Sequence, residues 1–528
     1  MQHKINDIKS AKTALGIEFG STRIKAVLIG SDKKCLASGS YTWENKLQDG
    51  IWTYSEADII SGLQGSYRSL CDDVKEKYGT ELETIGAIGI SAMMHGYIAL
   101  DKNNELLVPF RTWRNNNTTQ ASKELSKLLR FNIPERWSVS HLYQAILDKE
   151  DHLSKLKKVT TLAGYVHYLL TGENVLGIGD ASGMFPIDSK TLCYNKEMED
   201  KFNTLVKESG YGFTVSDVFP NILTAGECAG HLTKEGAALL DPSGVLSPDI
   251  PLCPPEGDAG TGMTATNSVS KRTGNVSAGT SVFAMVVLEK NLQNVYPQID
   301  MVATPDGSPV AMVHANNCTS EINSWAALFD DVLKAFGKNV TSDELYSTLY
   351  QSALSGEKDC GGLLPYGYIS GENITETEFG RPLFIRRENS SFTLSNLMRA
   401  HMCSALGALK IGLDILLTQE NVALDKLNCH GGFFKTPEIG QKIMAAAANV
   451  KTSVNEEAGE GGAWGMALLA AFMNADESVL SEFLNKKVFA DSKTIDIEPC
   501  SEDISGFEKF MESYKKALVL EQNAVKYI

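Results

Sequence analysis

Several widespread signatures are absent from this sequence of 528 residues. Its ten cysteines form no C-x-x-C pair, so neither a zinc site nor a disulfide framework is indicated. The P-loop pattern G-x-x-x-x-G-K-[ST] does not occur, and no convincing G-x-G-x-x-G follows a predicted strand. These absences argue against a classical P-loop enzyme and against a dinucleotide-dependent dehydrogenase.

Excess positive charge and long apolar runs are also absent. The formal net charge of -16 disfavours non-specific binding to nucleic acid or to an anionic membrane surface. No run of about 18 apolar residues is present, and the first residues lack the apolar core of a signal peptide. We therefore predict a cytoplasmic protein that binds neither nucleic acid nor membrane.

The composition that remains is that of a folded protein with more than one domain. Hydrophobic residues make up 43% and charged residues 22%, close to globular averages. A chain of this length is too long for a single core. We expect two large domains.

Two stretches show the same order of elements, which predicts two similar α/β halves. Residues 13–43 contain three short strands in a meander, followed by an amphipathic helix over Glu56–Tyr78 and a buried strand over 84–91. A second set begins with strands over 273–289 and 309–315, and continues with a helix over Glu321–Phe336 and a strand over 426–432. Residues 117–235 are largely helical in pattern and indicate an insertion in the first half.

Each half has a Gly-Ser/Thr corner between two strands. The first, "EFGST", contains Gly20, Ser21 and Thr22, and the second, "SAGTS", contains Gly279, Thr280 and Ser281. Such corners expose backbone N–H groups and short hydroxyls to a phosphate, but ordinary hairpins use the same residues. The pair, one in each half, favours a phosphate clamp over a hairpin.

The segment "PPEGDAGTGM" (254–263) joins the two halves and is rich in Pro and Gly, as expected of a loop. Asp258 stands between glycines there, so a ligand could approach its carboxylate closely. Asp beside Gly is more often a turn residue. The alternative is a general base that takes a proton from an alcohol.

Polar groups that suit a polyhydroxylated ligand follow the buried strand of the first half. "MMHG" places Met94, His95 and Gly96 just past its carboxyl end, where open α/β sheets bind ligands. "RTWRNNNT" (111–118) adds a Trp and several amides. Both segments are equally compatible with a structural histidine and a solvated loop.

Two Gly-rich stretches lie near the end of the chain, over 430–441 and 457–471. Glycines at the start of a helix can admit a nucleotide base and ribose to the backbone. They can also simply let helices pack closely.

Taken in order, these segments resemble the FGGY carbohydrate kinases, and most closely the xylulokinase-like branch. The resemblance spans essentially the whole chain. It is carried by "LGIEFGSTRIKAVLI", "MMHG", "EGDAGTGM", "GNVSAGTS", "LLPYGYISGENI", "GGFFKTP" and "GEGGAWGMALLAA". Each motif is short, but seven in the same order are specific.

The resemblance implies an α/β fold of two actin-like (ribonuclease H-like) lobes with an ATP and sugar cleft between them. The lobes would be residues 1–268, with the sugar site, first phosphate loop and base, and residues 269–528, with the second phosphate loop and adenosine site. The reaction would transfer the γ-phosphoryl group of ATP, with Mg²⁺, to a sugar hydroxyl. A homodimer would also be in keeping with the family.

The resemblance also implies a role for individual residues. Asp258 would be the general base and, with Glu18, a metal ligand. The sugar would contact Met94, His95, Gly96, Trp113, Arg114 and Asn115. The phosphates of ATP would contact Gly20, Ser21, Thr22, Gly279, Thr280 and Ser281, and its nucleoside Gly431, Gly432, Phe433 and Gly462.

Three departures from the family pattern leave the sugar open. Glu18 stands where relatives usually carry Asp, and Ala259 stands where xylulokinases often carry Asn. "TWRNNN" replaces their usual Trp-Asn-Asp. A ketopentose such as xylulose is the leading substrate, with ribulose, another ketose or a polyol as alternatives, and an ATP-binding sensor without a sugar product as a second alternative.

Overall fold

Short strands and helices alternate over the first half of the chain. The computed structural model describes residues 1–455, 461–524 and 526–527. The strands up to residue 257 are β1 (Ala14–Phe19), β2 (Arg23–Ile29), β3 (Cys35–Thr42), β4 (Lys46–Gln48), β5 (Ile51–Thr53), β6 (Ala87–Ala92), β7 (Ile98–Leu100), β8 (Lys158–Thr160), β9 (Val175–Gly177), β10 (Ile187–Asp188), β11 (Cys193–Tyr194), β12 (Asn221–Leu223) and β13 (Glu256–Gly257). The helices up to residue 265 are α1 (Gln2–Lys9), α2 (Glu56–Tyr78), α3 (Thr119–Leu129), α4 (Ser138–Leu147), α5 (Leu162–Thr171), α6 (Ile178–Ala181), α7 (Lys196–Glu208), α8 (Val215–Val218), α9 (Lys234–Leu240) and α10 (Asp258–Ala265).

The second half repeats the alternation with longer helices. Its strands are β14 (Thr273–Ala278), β15 (Val282–Val287), β16 (Ile299–Ala303), β17 (Pro309–Ala315), β18 (Leu363–Tyr366), β19 (Leu383–Arg386), β20 (Lys426–His430), β21 (Lys451–Asn455) and β22 (Thr494–Ile497). Its helices are α11 (Ser320–Ala335), α12 (Ser342–Ser352), α13 (Leu394–Ala405), α14 (Gly407–Asp414), α15 (Ile439–Ala448), α16 (Gly461–Phe472), α17 (Leu480–Phe483) and α18 (Ser501–Ala524).

The contacts between residues divide the chain into two units. The first unit contains residues 1–269, 301–310 and 458–491, and the second contains residues 270–300, 311–457 and 492–528. The sequence-based division at 268/269 places residues 458–491 in the second lobe, whereas their contacts place them in the first unit.

Helix α16 explains why this late segment belongs to the first unit. It is apolar on nearly all sides and packs against β1, β6 and α10. Gly16 of β1 touches the backbone of Ala463 and Ala467 so closely that a Cβ atom at residue 16 would overlap it. A glycine in the strand therefore allows the helix to lie directly on the sheet.

A mixed sheet of five strands, in the order β13-β6-β1-β2-β3, forms the centre of the first unit. Strands β1, β2 and β3 are the antiparallel meander that the sequence predicts, and β6 joins β1 in parallel. Every residue of β6 is buried, as expected for a central strand covered on both faces. Because β1, β6 and β13 run parallel, their carboxyl ends lie at one edge of the sheet.

The predicted helix over Glu56–Tyr78 is confirmed, and its ends have clear physical causes. Ser55 and Asp58 form a capping box at the first turn, and Gly79 ends the helix in a left-handed conformation at φ 65°. The predicted strand over 84–91 is shorter, since β6 begins at Ala87.

Residues 117–235 contain the six α-helices α3 to α8 of the first unit, in keeping with the predicted helical insertion. They have a hydrophobic core of their own, in which Trp137, Phe185 and Phe202 are almost fully buried.

The segment before the base candidate differs from the loop that its Pro and Gly content predicts. Leu252–Gly257 are buried and supply strand β13, and Asp258 is the first residue of helix α10. The prediction of a loop at Asp258 is wrong because the glycines after it take helical conformations. Gly465 of α16 in turn lies directly against the Thr261 backbone of this helix.

The second unit is built on a sheet of seven strands in the order β16-β17-β15-β14-β20-β21-β22. Strand β14 is antiparallel to β15 and parallel to β20, which repeats the relation of β1 to β2 and β6. The prediction of two similar halves is confirmed. The carboxyl ends of β14 and β20 again meet at one edge.

No single helix of the described ranges is long and apolar enough to cross a membrane. One bent pair, Leu394–Ala405 with Gly407–Gln419, passes that test of length and composition only when its two helices are taken together.

Candidate active site

Three strand ends bring the acidic residues of the first unit together. Glu18 of β1 lies beside Ser91 of β6, and Ser91 lies beside Glu256 of β13, all in register. Asp258 follows two residues after Glu256. The carboxyl ends of these strands therefore bring together both carboxylates that the family resemblance implies as metal ligands.

Asp258 is held at the first turn of α10 by a neighbouring backbone group. Its Oδ1 accepts a hydrogen bond from the backbone N–H of Met94 at 3.2 Å. The side chain keeps accessible surface, yet the protein around it removes enough water to raise its pKa, while the N–H groups of Met94 and Ala259 oppose the rise. An accessible carboxylate with a raised pKa is suited to accept a proton.

Glu18 is partly buried, and the first turn of helix α16 lies against it. Burial, and then the charge of Asp258, raise the pKa of Glu18 to about 7, with Lys25 and the N–H of Ala463 acting in the opposite direction. Gly462 packs directly on the Glu18 carboxylate. Two mutually repelling carboxylates at one edge would be stabilised by a cation.

Gly462 was predicted to face the nucleoside, and the structure places it beside Glu18 in the first unit. Its nucleoside role stays a prediction. Residues 457–460 of the same Gly-rich stretch lie outside the described residues.

Two buried acids near Asp258 escaped the sequence interpretation. The Glu256 carboxylate accepts hydrogen bonds from the N–H groups of Gly179, at 3.1 Å, and Asp180, at 2.9 Å. Asp180 itself accepts a bond of 2.6 Å from the Thr161 hydroxyl. Burial and the nearby Asp180 raise the pKa of Glu256 to about 8, and burial raises that of Asp180 to about 7. The only signal in the sequence was an acid beside glycines in both segments.

The first Gly-Ser-Thr corner is fastened from behind by two aromatic side chains. The Trp43 indole N–H donates to the Gly20 carbonyl at 2.7 Å, and the Tyr54 hydroxyl donates to the Ser21 carbonyl, also at 2.7 Å. The two rings stack with their centroids 3.9 Å apart. The carbonyls of the corner face the protein, whereas the side chains of Ser21 and Thr22 are exposed and accessible to a ligand.

The Met94-His95-Gly96 turn is rigidly held. His95 has a left-handed backbone at φ 71° and Gly96 follows at φ 94°. The Nδ1 atom of His95 donates to the Gly183 carbonyl at 3.2 Å, and its ring stacks on Trp137. Burial, and then the charge of Arg136, hold the pKa of His95 well below its usual range. The ring is therefore neutral with its proton on Nδ1, so Nε2 is an acceptor.

Of the three predicted sugar contacts Trp113, Arg114 and Asn115, the first two are exposed and the third is buried. The Asn115 side chain accepts from the Trp52 N–H at 2.9 Å and donates to the Trp52 carbonyl at 2.8 Å and the Thr112 carbonyl at 3.0 Å. With its amide paired in this way, Asn115 holds strand β5 in place. Trp113 is 42% exposed, and the Arg114 guanidinium lies 3.6 Å above the Trp52 ring.

In the second unit, the turn Gly279–Ser281 follows β14. Its carbonyls accept hydrogen bonds from the N–H groups of Cys318 and Thr319, at 2.9 and 3.0 Å. Thr280 is exposed and Ser281 partly exposed. The turn is thus fastened through its carbonyls, as the first one is.

The residues after β20 that were predicted to meet the nucleoside are of two kinds. Gly431 takes φ 102° against the backbone of Ala278, and Gly432 is exposed. Phe433 is 0% exposed and packs edge-on against Phe434 and Tyr350. Phe433 therefore offers a ligand no accessible surface in this structure, and its nucleoside role stays a prediction.

Comparison with known families agrees with the class of protein that these strand-end sites indicate, a phosphoryl-transferring enzyme with an actin-like fold. The family models described as "FGGY family of carbohydrate kinases" match in both parts, the N-terminal domain over residues 13–258 and the C-terminal domain over residues 274–473. The chain therefore belongs to the FGGY family of carbohydrate kinases, and it is an ATP-dependent sugar kinase.

Individual relatives show the same likeness along the chain. The xylulose kinase of Haemophilus influenzae is 24% identical over 482 residues, covering 89% of this chain and 92% of its own. Among solved structures, a ligand-bound xylulose kinase from Lactobacillus acidophilus has a TM-score of 0.79 at 18% identity, over 98% of this chain and 100% of its own. A gluconate kinase from the same organism has a TM-score of 0.78 at 18% identity, over 98% and 99%. These structures confirm the fold, and the different substrates in their names show that the fold alone does not define the sugar.

Proposed function

We propose that this kinase phosphorylates a hydroxyl of a ketopentose such as xylulose, with Asp258 as general base. The observation that carries the proposal is the accessible Asp258 carboxylate, held by the Met94 N–H beside the rigid His95 turn. The relatives named xylulose kinase support the choice of sugar.

The chemistry follows from this arrangement. The Asp258 carboxylate takes the proton of the sugar hydroxyl while the hydroxyl oxygen forms a bond to the γ-phosphorus, and the bond from that phosphorus to the bridging oxygen of ADP breaks. The neutral His95 ring offers Nε2 as an acceptor to a second sugar hydroxyl. The two Gly-Ser/Thr turns would orient the phosphates through N–H and hydroxyl donors.

The acidic edge also fits a magnesium ion. Mg²⁺ prefers oxygen ligands and is usually held by one or two carboxylates together with phosphate and water. Glu18 and Asp258 supply two carboxylates close enough for the charge of one to raise the pKa of the other. When bound, Mg²⁺ would neutralise charge on the phosphates of ATP.

The test is ADP release from ATP with a panel of xylulose, ribulose, gluconate and glycerol. We expect the highest kcat/KM with xylulose. A clear preference for another sugar would show that xylulose is not the substrate. If no sugar stimulates ADP release, the proposal of a sugar-phosphorylating enzyme is overturned in favour of the ATP-binding sensor.

The base is tested with Asp258→Asn. Loss of general-base catalysis should lower kcat by about 100-fold or more while ATP still binds. Asp343→Asn is the matched control, since it removes an exposed carboxylate from the first turn of α12 in the second unit. An Asp258→Asn variant that retains near-normal kcat would refute the assignment.

A further inference from the structure

Glu372 is a buried carboxylate of the second unit to which no chemistry has been assigned. It has no exposed surface, and hydrogen bonds rather than a neighbouring cation oppose the effect of burial on its pKa. It belongs to the "LLPYGYISGENI" segment, some 90 residues after the second Gly-Thr-Ser turn in sequence. Burying an acid without a cation is costly unless hydrogen bonds hold it in place.

Three hydrogen bonds connect the Glu372 carboxylate to one turn after β17. Its Oε2 accepts from the backbone N–H of Asn316 at 2.9 Å and from that of Asn317 at 3.2 Å. The Asn317 side-chain amide adds a third bond at 3.2 Å. Two successive peptide groups are thereby held in one orientation.

Asn317 extends this connection to the rest of the segment. Its Oδ1 accepts from the N–H groups of Ile369 and Ser370, both at 3.0 Å, and its Nδ2 also donates to the Ser370 carbonyl at 3.1 Å. The 369–372 and 316–317 backbones are therefore bound to each other through two buried side chains.

The next two residues of the chain hold the second phosphate turn. The N–H of Cys318 donates to the Thr280 carbonyl at 2.9 Å. The N–H of Thr319 donates to the Gly279 carbonyl at 3.0 Å, and the Thr319 hydroxyl adds a second bond to that carbonyl at 2.7 Å. The orientation of the turn depends on peptide groups directly adjacent to those that Glu372 holds.

We propose that Glu372 and Asn317 are positioning residues for ATP, acting through the 316–319 turn on Gly279–Ser281. The inference rests on the proposed phosphate-binding role of that turn. Phosphoryl transfer depends on alignment, so a small rotation of the turn weakens its contacts with ATP without altering the sugar site.

The experiment compares steady-state kinetics of the wild type with Glu372→Ala and Glu372→Gln. We expect Glu372→Ala to raise KM for ATP about tenfold, since it leaves buried N–H groups without an acceptor, with the KM for sugar unchanged. Glu372→Gln retains an acceptor oxygen and should recover most of the affinity for ATP. Equal KM values for ATP in all three proteins would overturn the inference.

Glu420 provides a matched control for loss of a buried carboxylate. It accepts from the N–H groups of Gln293, at 2.8 Å, and Asn294, at 3.1 Å, and from the Tyr296 hydroxyl at 2.9 Å. Glu420→Ala should lower the thermal midpoint but leave KM for ATP unchanged. A rise in KM for ATP equal to that of Glu372→Ala would show a general structural effect and overturn the inference.

Two further variants keep the outcome decisive. If Glu372→Ala does not fold, Thr319→Val removes only the hydroxyl bond to Gly279 and should raise KM for ATP about threefold, and an unchanged KM would overturn the inference. Thr280→Ala tests the proposed phosphate turn directly. If Thr280→Ala raises KM for ATP and Glu372→Ala does not, the inference alone fails, whereas normal values for both overturn the phosphate turn as well.

Discussion

At the scale of single residues, four acids lie together at or just after the carboxyl ends of strands in the first unit. Glu18, Asp180, Glu256 and Asp258 all have raised pKa values, chiefly because burial disfavours their charged forms. Carboxyl groups with raised pKa values are commonly found at functional sites.

Glu18→Gln tests the metal assignment. We expect the Mg²⁺ concentration for half-maximal turnover to rise about tenfold or more, since a charged oxygen ligand is lost. The thermal midpoint should not fall, because the wild-type carboxylate is destabilised by burial and by Asp258. An unchanged Mg²⁺ dependence would return Glu18 to a structural role.

Glu372→Gln makes a second prediction at this scale, for stability against pH. Burial raises the pKa of Glu372 to about 7, above the ordinary value of 4.5. The folded protein therefore holds this proton more tightly than the unfolded chain, so wild-type stability falls as the pH rises from 4.5 to 7. Relative to the variant, the wild type should lose up to about 3 kcal/mol of unfolding free energy over that range.

Denaturant unfolding of both proteins at several pH values measures this difference. A difference between wild type and Glu372→Gln that stays constant between pH 5 and 7 would contradict the prediction.

At the scale of elements, the two Gly-Ser/Thr turns share one design. In each, backbone carbonyls are engaged from behind, by Trp43 and Tyr54 in the first unit and by Cys318 and Thr319 in the second. The N–H and hydroxyl donors of each turn can then face away from the residues that bind its carbonyls. Pre-oriented donors of this kind stabilise phosphate charge at little cost in reorganisation.

Tyr54→Phe tests the first of these fastenings. Removing the bond to the Ser21 carbonyl should cost about 1 kcal/mol of stability and raise KM for ATP severalfold. Tyr78→Phe is the control, since the Tyr78 hydroxyl donates to the Leu36 carbonyl at 3.0 Å on the same sheet. The control should lose similar stability with no change in KM for ATP, and equal KM values for both variants would argue against a role in ATP binding.

Elements with local causes were predictable from the sequence, and those with distant causes were not. The meander and helix α2 follow from strand patterning and from Ser55 and Gly79, which lie at the helix ends. The hydrogen bonds between the Glu256 carboxylate and the 179–180 backbone join residues that are 76 and 77 positions apart. No local sequence pattern can therefore predict them. An amide after a loop Trp suits either a sugar or the backbone of β5, with which the Asn115 side chain is paired here, and its contact with a sugar stays a prediction.

At the scale of the whole molecule, the first unit depends on a helix from the far end of the chain. Helix α16 covers β1 and β6 and touches Gly16 through its backbone. An oligomer of two copies stays a prediction, which light scattering on the purified protein would check.

Gly16→Ala tests this long-range packing. The added methyl group would overlap the Ala463 carbonyl, so we expect a loss of about 1–3 kcal/mol in unfolding free energy. Gly212→Ala is the control, since no atom lies within 4 Å of the position its Cβ would take. Equal stability of the two variants would contradict the close approach of α16 to the strand.

The return of residues 458–491 to the first unit has a consequence for synthesis on the ribosome. The first sheet can pair its strands as soon as β13 has emerged, but its surface beside Gly16 stays uncovered for about 200 further residues. At 5–20 residues per second, translation would leave that apolar face open for roughly 10–40 seconds. During that interval the nascent chain is a natural client for chaperones, and a fragment that stops before residue 458 should aggregate rather than fold.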